Sequence, residues 1–394
     1  MGRTAALPTG PLTGVTVLDL SSVGPAARAT RLLADYGATV VKVGAVPGRG
    51  PGATVPPFFA YSASRGMRRV QLDVRDPGGR QALLALARGA DVVVESFRPG
   101  VVDRLGIGYE ALREVNAGII YCSTSGYGQG GPRSGWAGHD LNYLAVSGYL
   151  ASSGRRADGG PPIPGATVAD AAAGGMQAAL AVTAALFARH RTGEGAYLDV
   201  SVADGALWLM SLAVDEHLAT GTEPGPGHDV LTGRYACYDT YAAADGRWLA
   251  VAAIEAKFFA NLCRALGCEE WIARQYDDDV QDDLRAALAA AFAGHDRDRW
   301  VELLSGADTC VAPVRAVSEI AHDPQFTDRG AVVEAKDTDG RSFCQVGAVL
   351  AGMPPVSAPV TVRPAGETDT DELLAAAGLS PDRIAELRGQ GVLA

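Results

Sequence analysis

Short apolar runs and longer helical patterns take turns along the first third of the chain. GVTVLDL, residues 14–20, is apolar almost throughout and rich in β-branched side chains, as suits a strand buried on both faces. SSVGPAARATRLLADYG follows, a loop and then a helix closed by Gly37. The alternation continues through ATVVKV, a Gly/Pro-rich loop, VQLDV, the helical DPGGRQALLALARGA, the strand DVVVESF and, further on, GIIYCSTSG. Asp76 before Pro77 has the order of an N-cap followed by proline in the first helical turn. This alternation predicts an α/β fold, a large Rossmann-like domain whose parallel sheet is covered by helices. Its ligands are expected at the carboxyl ends of the strands. The first strand leads into SSVGPAA rather than GxGxxG, which counts against a dinucleotide site.

From about residue 225 the pattern changes. RYACYDTY alternates polar and apolar positions, and with WLAVAA it predicts antiparallel strands around the turn ADGR. EAKFFANLCRALG reads as an amphipathic helix, and LRAALAAAFAGH and RDRWVELLSG as two more. After residue 345 a proline-punctuated extended segment leads to two short helices in DTDELLAAAGLSPDRIAELRGQGVL. A chain of 394 residues is long enough for two domains. The predicted organisation is a large domain begun by residues 11–224, a smaller α+β domain over 225–313, and a segment 314–394 that returns to the large one.

Charge narrows the partners. A formal net charge of -11 argues against nucleic acid, although a local basic patch can still receive an anionic group. Six cysteines are too sparse for a disulfide framework and fit a reducing cytoplasm. The start lacks an apolar leader. The longest apolar stretch, from Val168, carries Asp170 and reads as a buried helix, so no membrane partner is expected. Cys263 and Cys268 lack zinc-ligand spacing, and the acidic run from Asp277 to Asp283 reads as solvated surface; no metal is expected.

Polar residues at element boundaries carry the candidate chemistry: Arg98 in ESFRPG, His139 in AGHDLNY, Asp170 in GATVADAAAGG. Taken alone, each has two readings. His139 is a proton carrier or a residue closing a glycine-flanked turn. Asp170 is an acid/base group or a helix cap. Asp140 reads as a residue bonded to nearby backbone, and Glu255 as the first-turn acid of its helix.

With LLADYGATVVKV, DVVVESFRPGVVDRLGIGYEALREVN, SGYGQGGPRSGWAGHDLNY, ARHRTGEGAYLDVSVADG, YDTYAAADGRWLAVAAIEAKFF and LSPDRIAELRGQGV in this order, the chain closely resembles the family III CoA-transferases (CaiB/BaiF superfamily). Within them it is most similar to the alpha-methylacyl-CoA racemase branch. Transferases of this family typically carry tyrosine or phenylalanine where His139 stands, whereas racemases carry histidine there and a glutamate matching Glu255. The resemblance therefore implies that His139 and Asp170 are the two acid/base groups and that Glu255 orients His139. It also implies an interlocked homodimer in which Glu255 comes from the other chain.

The chemistry accounts for such a set. The hydrogen beside a thioester carbonyl is weakly acidic because its removal gives a delocalised enolate. Inverting that carbon needs a base on one face and an acid on the other, and both must act near neutral pH. The enolate oxygen needs donors, expected here from backbone N–H groups at the helix start following Asp170. CoA arrives as part of the substrate, so no separate cofactor is expected. Its phosphates call for cations. The resemblance puts Arg98 first, then Lys42 and the cluster of Arg65, Arg68 and Arg69, with Ser64, Ala90, Asp91 and Val92 as further contacts. Gly138, His139, Asp140, Leu141, Asn142 and Tyr143 are expected to line the pantetheine end. Many relatives carry asparagine in place of Ser64 and an acid in place of Gly44. The expected activity is inversion of the 2-methyl centre of a branched acyl-CoA. The alternatives are a CoA-transferase with Asp170 as nucleophile, and an acyl-CoA-binding protein or one recruited to other enolate chemistry.

Overall fold

The computed structural model describes residues 10–48, 65–353, 360–364 and 366–394. The chain divides into two units. The first holds the described residues of Met1–Tyr149, Ile163–Ser211 and Ala321–Ala394. The second holds Leu150–Pro162 and Leu212–Ile320. This second unit is wider than the small domain expected over 225–313, because it begins at Leu212, runs on to Ile320 and includes the earlier stretch Leu150–Pro162.

In the first unit six parallel strands form one sheet: β1 (Thr16–Asp19), β2 (Thr39–Gly44), β3 (Arg68–Gln71), β4 (Val92–Glu95), β5 (Ile120–Ser125) and β6 (Ala196–Ser201). They lie in the order β3-β2-β1-β4-β5-β6. The order reverses between β1 and β4, where loops of successive strands depart to opposite faces and leave a crevice at the carboxyl edge. Alternating residues fill a core on each face. Val17, Val40, Val92, Val94, Ile120 and Cys122 pack with α1 (Gly24–Asp35). Leu18, Val41, Val70, Val93 and Tyr121 pack with α2 (Pro77–Arg88) and with Leu374, Ile384 and Leu387 of the terminal helices. The Asp76 carboxylate caps α2 by accepting from Gly78 N–H at 2.7 Å.

Two elements escaped the sequence pattern. β6, AYLDVS, mixes exposed and buried positions because it is the sheet's last strand. A separate sheet joins Val332–Asp337, Ser342–Val346 and Val360–Val362, the first pair antiparallel and the last parallel. The apolar stretch from Val168 is helical over Ala169–Thr192, but only a third of its most apolar window is buried. By length and composition it is the one helix among the described residues able to cross a membrane. One face, with Ala173, Gly174, Ala178 and Val182, is buried, while Leu180 and Phe187 are exposed. The expectation of a buried helix therefore holds for one face only.

The second unit contains the expected antiparallel pair, Tyr238–Ala242 with Trp248–Ala252, joined on its edge by Val311–Pro313. Phe259, Leu262, Leu284, Leu288, Phe292 and Trp300 from three helices pack into one core with Leu249 and Val251. Glu255 is the exposed N-cap residue of the first of these helices, Ala256–Leu266.

Candidate active site

At the reversal point of the parallel sheet, Val23 to Pro25 after β1, Ser96 to Pro99 after β4 and Thr124 to Gly126 ending β5 enclose a cavity of about 440 Å³. Gly138, His139, Asn142, Tyr143 and Asp170 complete its wall. All of these residues belong to the first unit.

His139 is held by its backbone and presented by its side chain. It precedes α5 (Asp140–Val146), donates its N–H to Asn142 Oδ1 at 3.0 Å, and accepts the Asn142 N–H at 2.8 Å. Tyr143 supports the turn from below, its hydroxyl donating to the Gly138 carbonyl at 2.6 Å. A Cβ at Gly138 would come within 2.8 Å of that ring, so only glycine lets the backbone lie against it. Burial raises the Tyr143 phenol to about 12, with the Asp170 carboxylate adding to the rise, so it stays a donor at neutral pH. His139 thus closes a turn and also faces the cavity.

Asp170 sits in the first turn of a π-helix, Ala169–Met176, which continues as the α-helix Gln177–Thr192. Wide turns of this kind recur at functional sites. Here the helix lies very close to its neighbours: a Cβ at Gly174 would fall 2.5 Å from Pro25, and one at Gly205 would fall 2.0 Å from the Ala173 carbonyl. Asp140 joins the two candidate acid/base residues, since its carboxylate accepts the Asp170 N–H at 2.8 Å. Burial raises the Asp170 carboxyl, the neighbouring Asp140 carboxylate raises it further, and Arg28 and His139 pull the other way. The net result is a carboxyl held above its ordinary range.

The expected oxyanion donors are corrected. The N–H of Asp170 is committed to Asp140, and that of Ala171 to the Thr167 carbonyl at 2.9 Å. Because both groups are used to start the wide turn, neither is left for a substrate.

The candidate cations divide. Arg98 lies on the cavity wall, is exposed, and forms no ion pair among the described residues. Lys42 instead pairs at 2.7 Å with Asp19, a carboxylate without solvent exposure that also accepts from Ser21 and Thr30. Arg65 is buried, donating to Asp35 at 3.2 Å and to the Val346 carbonyl at 3.0 Å. Arg68 meets Glu372 at 2.8 Å and Asp369 at 3.7 Å. Arg69 donates its backbone N–H to Asp369 at 2.9 Å and its guanidinium to the Pro364 carbonyl at 2.5 Å. These three arginines fasten the carboxyl-terminal segment to β3 and the loop before it.

Ala90, Asp91 and Val92 do not reach the cavity. They open β4 at the amino edge of the sheet, and parallel strands keep that edge opposite the one where Arg98 emerges. Ala90 and Val92 are buried in the cores, and Asp91 pairs with Arg189 at 2.7 Å. Within 138–143, Gly138, His139, Asn142 and Tyr143 line the cavity, Asp140 accepts the Asp170 N–H, and Leu141 is exposed. Ser64 lies outside the described residues. Glu255 belongs to the second unit.

Sequence reasoning missed Glu95, Thr124 and Ser125 at the carboxyl ends of β4 and β5, although a polar residue ending an apolar strand is a signal of its own. Glu95 is 1% exposed and accepts the Phe97 N–H at 2.6 Å, fixing the loop that carries Arg98. Burial raises its carboxyl to about 7, against hydrogen bonds from Ser123 and Phe97 that favour the charged form.

Comparison with known proteins places this geometry. The CoA-transferase family III model matches residues 12–368. Human alpha-methylacyl-CoA racemase is 35% identical over 83% of this chain and 84% of its own. Acetyl-CoA:oxalate CoA-transferase of Acetobacter aceti is 33% identical over 84% of this chain and 88% of its own. The crystal structure of a CAIB/BAIF family protein from Brucella suis superposes with a TM-score of 0.75 at 26% identity, covering 93% of this chain and 98% of that one. With a family model spanning nearly the whole length, the chain belongs to CoA-transferase family III.

Proposed function

We propose that this protein is a racemase that inverts the 2-methyl centre of branched acyl-CoA thioesters. The observation that carries this reading is the pairing in one cavity of His139 with Asp170, a carboxyl raised by burial. One group takes the α-proton, and the C–H electron pair forms the enolate. The other then delivers a proton to the opposite face. His139 serves the S substrate and Asp170 the R substrate. Arg98 meets a phosphate of CoA, which the substrate itself brings, so no further cofactor enters. Glu255 completes the site from the partner protomer of an interlocked homodimer, orienting the His139 ring. The exposed apolar face with Leu180 and Phe187 supports such an assembly, and six free thiols fit a cytoplasmic enzyme.

The acetyl-CoA:oxalate relative, at 33% identity, supports a second reading in which Asp170 attacks the thioester and forms an acyl anhydride. Incubating the protein with a 2-methylacyl-CoA in deuterated water separates the two. The racemase exchanges the α-hydrogen and inverts the centre. Transfer of CoA to an added carboxylate without α-exchange would establish the transferase, and neither outcome would leave a binding protein.

A further inference from the structure

β5 ends in three consecutive hydroxyls, Ser123, Thr124 and Ser125. Two are used inside the protein. Ser123 Oγ accepts from Gln129 Nε2 at 2.8 Å, and Thr124 Oγ1 donates to the Glu95 carbonyl at 3.1 Å. The third differs: Ser125 is 9% exposed, lines the cavity shared by His139 and Asp170, and its Oγ has no hydrogen-bond partner among the described residues. A buried hydroxyl left unpaired destabilises the fold, so the residue is expected to be there for what enters the cavity. Its neighbour Gly126 lies against Tyr143, the ring that supports the turn carrying His139, which places Ser125 beside that turn. The N–H groups of Asp170 and Ala171 are already occupied, so an oxyanion formed here draws on other donors.

We propose that Ser125 is a catalytic residue whose hydroxyl donates to the thioester carbonyl oxygen of the bound acyl-CoA. The proposal rests on the racemase reading for its chemistry. As the α-proton leaves for His139 or Asp170, the C–H pair becomes the carbon–carbon double bond and the carbonyl π pair moves onto oxygen. Ser125 keeps its own proton throughout and holds that oxygen as its charge grows. Return of a proton to carbon restores the carbonyl. A hydrogen bond that strengthens as charge develops accelerates the reaction more than it tightens binding.

The test uses wild type, Ser125→Ala and Ser125→Cys with isobutyryl-CoA and with the thioether S-isobutyl-CoA, which has no carbonyl. Removing one oxyanion donor slows reactions by ~100-fold or more, so α-exchange of isobutyryl-CoA in deuterated water should fall by about that factor in Ser125→Ala. Ser125→Cys, a weaker donor of similar size, should fall between. Calorimetric affinity for isobutyryl-CoA should drop by about 3- to 10-fold, as for one neutral hydrogen bond, while affinity for the thioether stays within about 2-fold. Melting temperature should hold or rise, because an unpaired buried hydroxyl has been removed. Unchanged exchange, equal loss for both ligands, or a lowered melting temperature would each overturn the assignment. If the wild type shows no α-exchange but the loss of affinity remains confined to isobutyryl-CoA, Ser125 keeps its assignment and the racemase reading falls.

Discussion

Two regions of the first unit carry the same residue types and use them in opposite ways. Around β3, Arg65, Arg68 and Arg69 each meet acids or carbonyls of this chain, and the half-buried Asp369 is surrounded by Arg68, Arg69 and Arg363. At the carboxyl edge of β4 and β5, among the described residues, Arg98 has no ion pair, Ser125 Oγ has no partner, and neither the buried Glu95 nor the half-buried Asp170 has a salt bridge. The first region spends its polar groups on the fold. The second leaves them poised for a ligand, which costs stability and creates reactivity. Residue type alone does not distinguish the two; the presence of a counter-group does.

The largest expected effect comes from making the poised edge inert. Asp170→Asn keeps the shape and the hydrogen bond from its N–H to Asp140, yet removes the titrating carboxyl. Loss of one positioned acid/base group lowers rates by ~10²- to 10⁴-fold, so racemisation should collapse by about that much. Exchange of the α-hydrogen of an S-2-methylacyl-CoA in deuterated water should persist, with retention, because His139 still serves its own face. A hydroxylamine-sensitive acyl-enzyme that forms in the wild type and disappears in the variant would instead identify Asp170 as a nucleophile.

Much of this contrast was hidden in the sequence, for reasons that concern distance along the chain. The strands from β1 to β5 were legible because uninterrupted β-branched runs have few other uses, and the turn at ADGR because its flanks alternate. The sheet formed by Val332–Asp337, Ser342–Val346 and Val360–Val362 was not, since the prolines between its later strands masked them. His139 and Asp170 could be picked out by resemblance, but not the link through Asp140, a contact across 30 residues. The cluster of Arg65, Arg68 and Arg69 could be ranked as a phosphate candidate only by resemblance, because the counter-ions of Arg68, Asp369 and Glu372, lie some 300 residues further on. Asp91 was misplaced because a parallel sheet separates the two ends of a short strand as fully as it would two domains.

The middle effect compares one arginine from each region. If Arg98 holds a CoA phosphate, the contact is the same in ground and transition states, so Arg98→Ala should raise KM and leave kcat nearly unchanged. A charge-assisted hydrogen bond contributes about 1.5–3 kcal/mol, which sets the expected rise at roughly 10- to 100-fold. Arg68→Ala, measured in parallel, should leave KM within about 2-fold and lower stability by at most ~1 kcal/mol, as for a partly exposed ion pair. A large KM effect at Arg68 with none at Arg98 would reverse the comparison and move the phosphate site to β3.

The smallest effect tests the buried Glu95 and the half-buried Asp369 by pH. Glu95 and Asp369 are both carboxyls held by a backbone N–H, but only Asp369 has arginines beside it. Burial alone would raise Asp369, yet the hydrogen bonds from Arg363 and from the Arg69 N–H outweigh it and hold the group below its usual range. Its stabilisation is therefore present above the ordinary carboxylate range and is lost as pH falls through the depressed value. Glu95 behaves oppositely. Raised from 4.5 to about 7, it binds its proton more tightly folded than unfolded, so its favourable contribution is complete below pH 4.5 and disappears as pH rises through about 7. At about 1.4 kcal/mol for each pH unit between those values, the ceiling on that loss is roughly 3 kcal/mol, and solvent reaching the ionised group will reduce it. Glu95→Gln keeps an acceptor for the Phe97 N–H and does not titrate. Its stability should fall less than that of the wild type between pH 5 and 8, with the gap closing toward the acid side. Asp369→Asn should show the reverse, weaker than wild type at pH 7 and converging with it in acid. Melting curves across pH 4 to 8 measure the first, and their extension to about pH 2 measures the second. If Glu95→Gln parallels the wild type through that range, the Glu95 carboxyl carries a compensating positive partner, and the contrast between the poised edge and the paired one does not extend to β4.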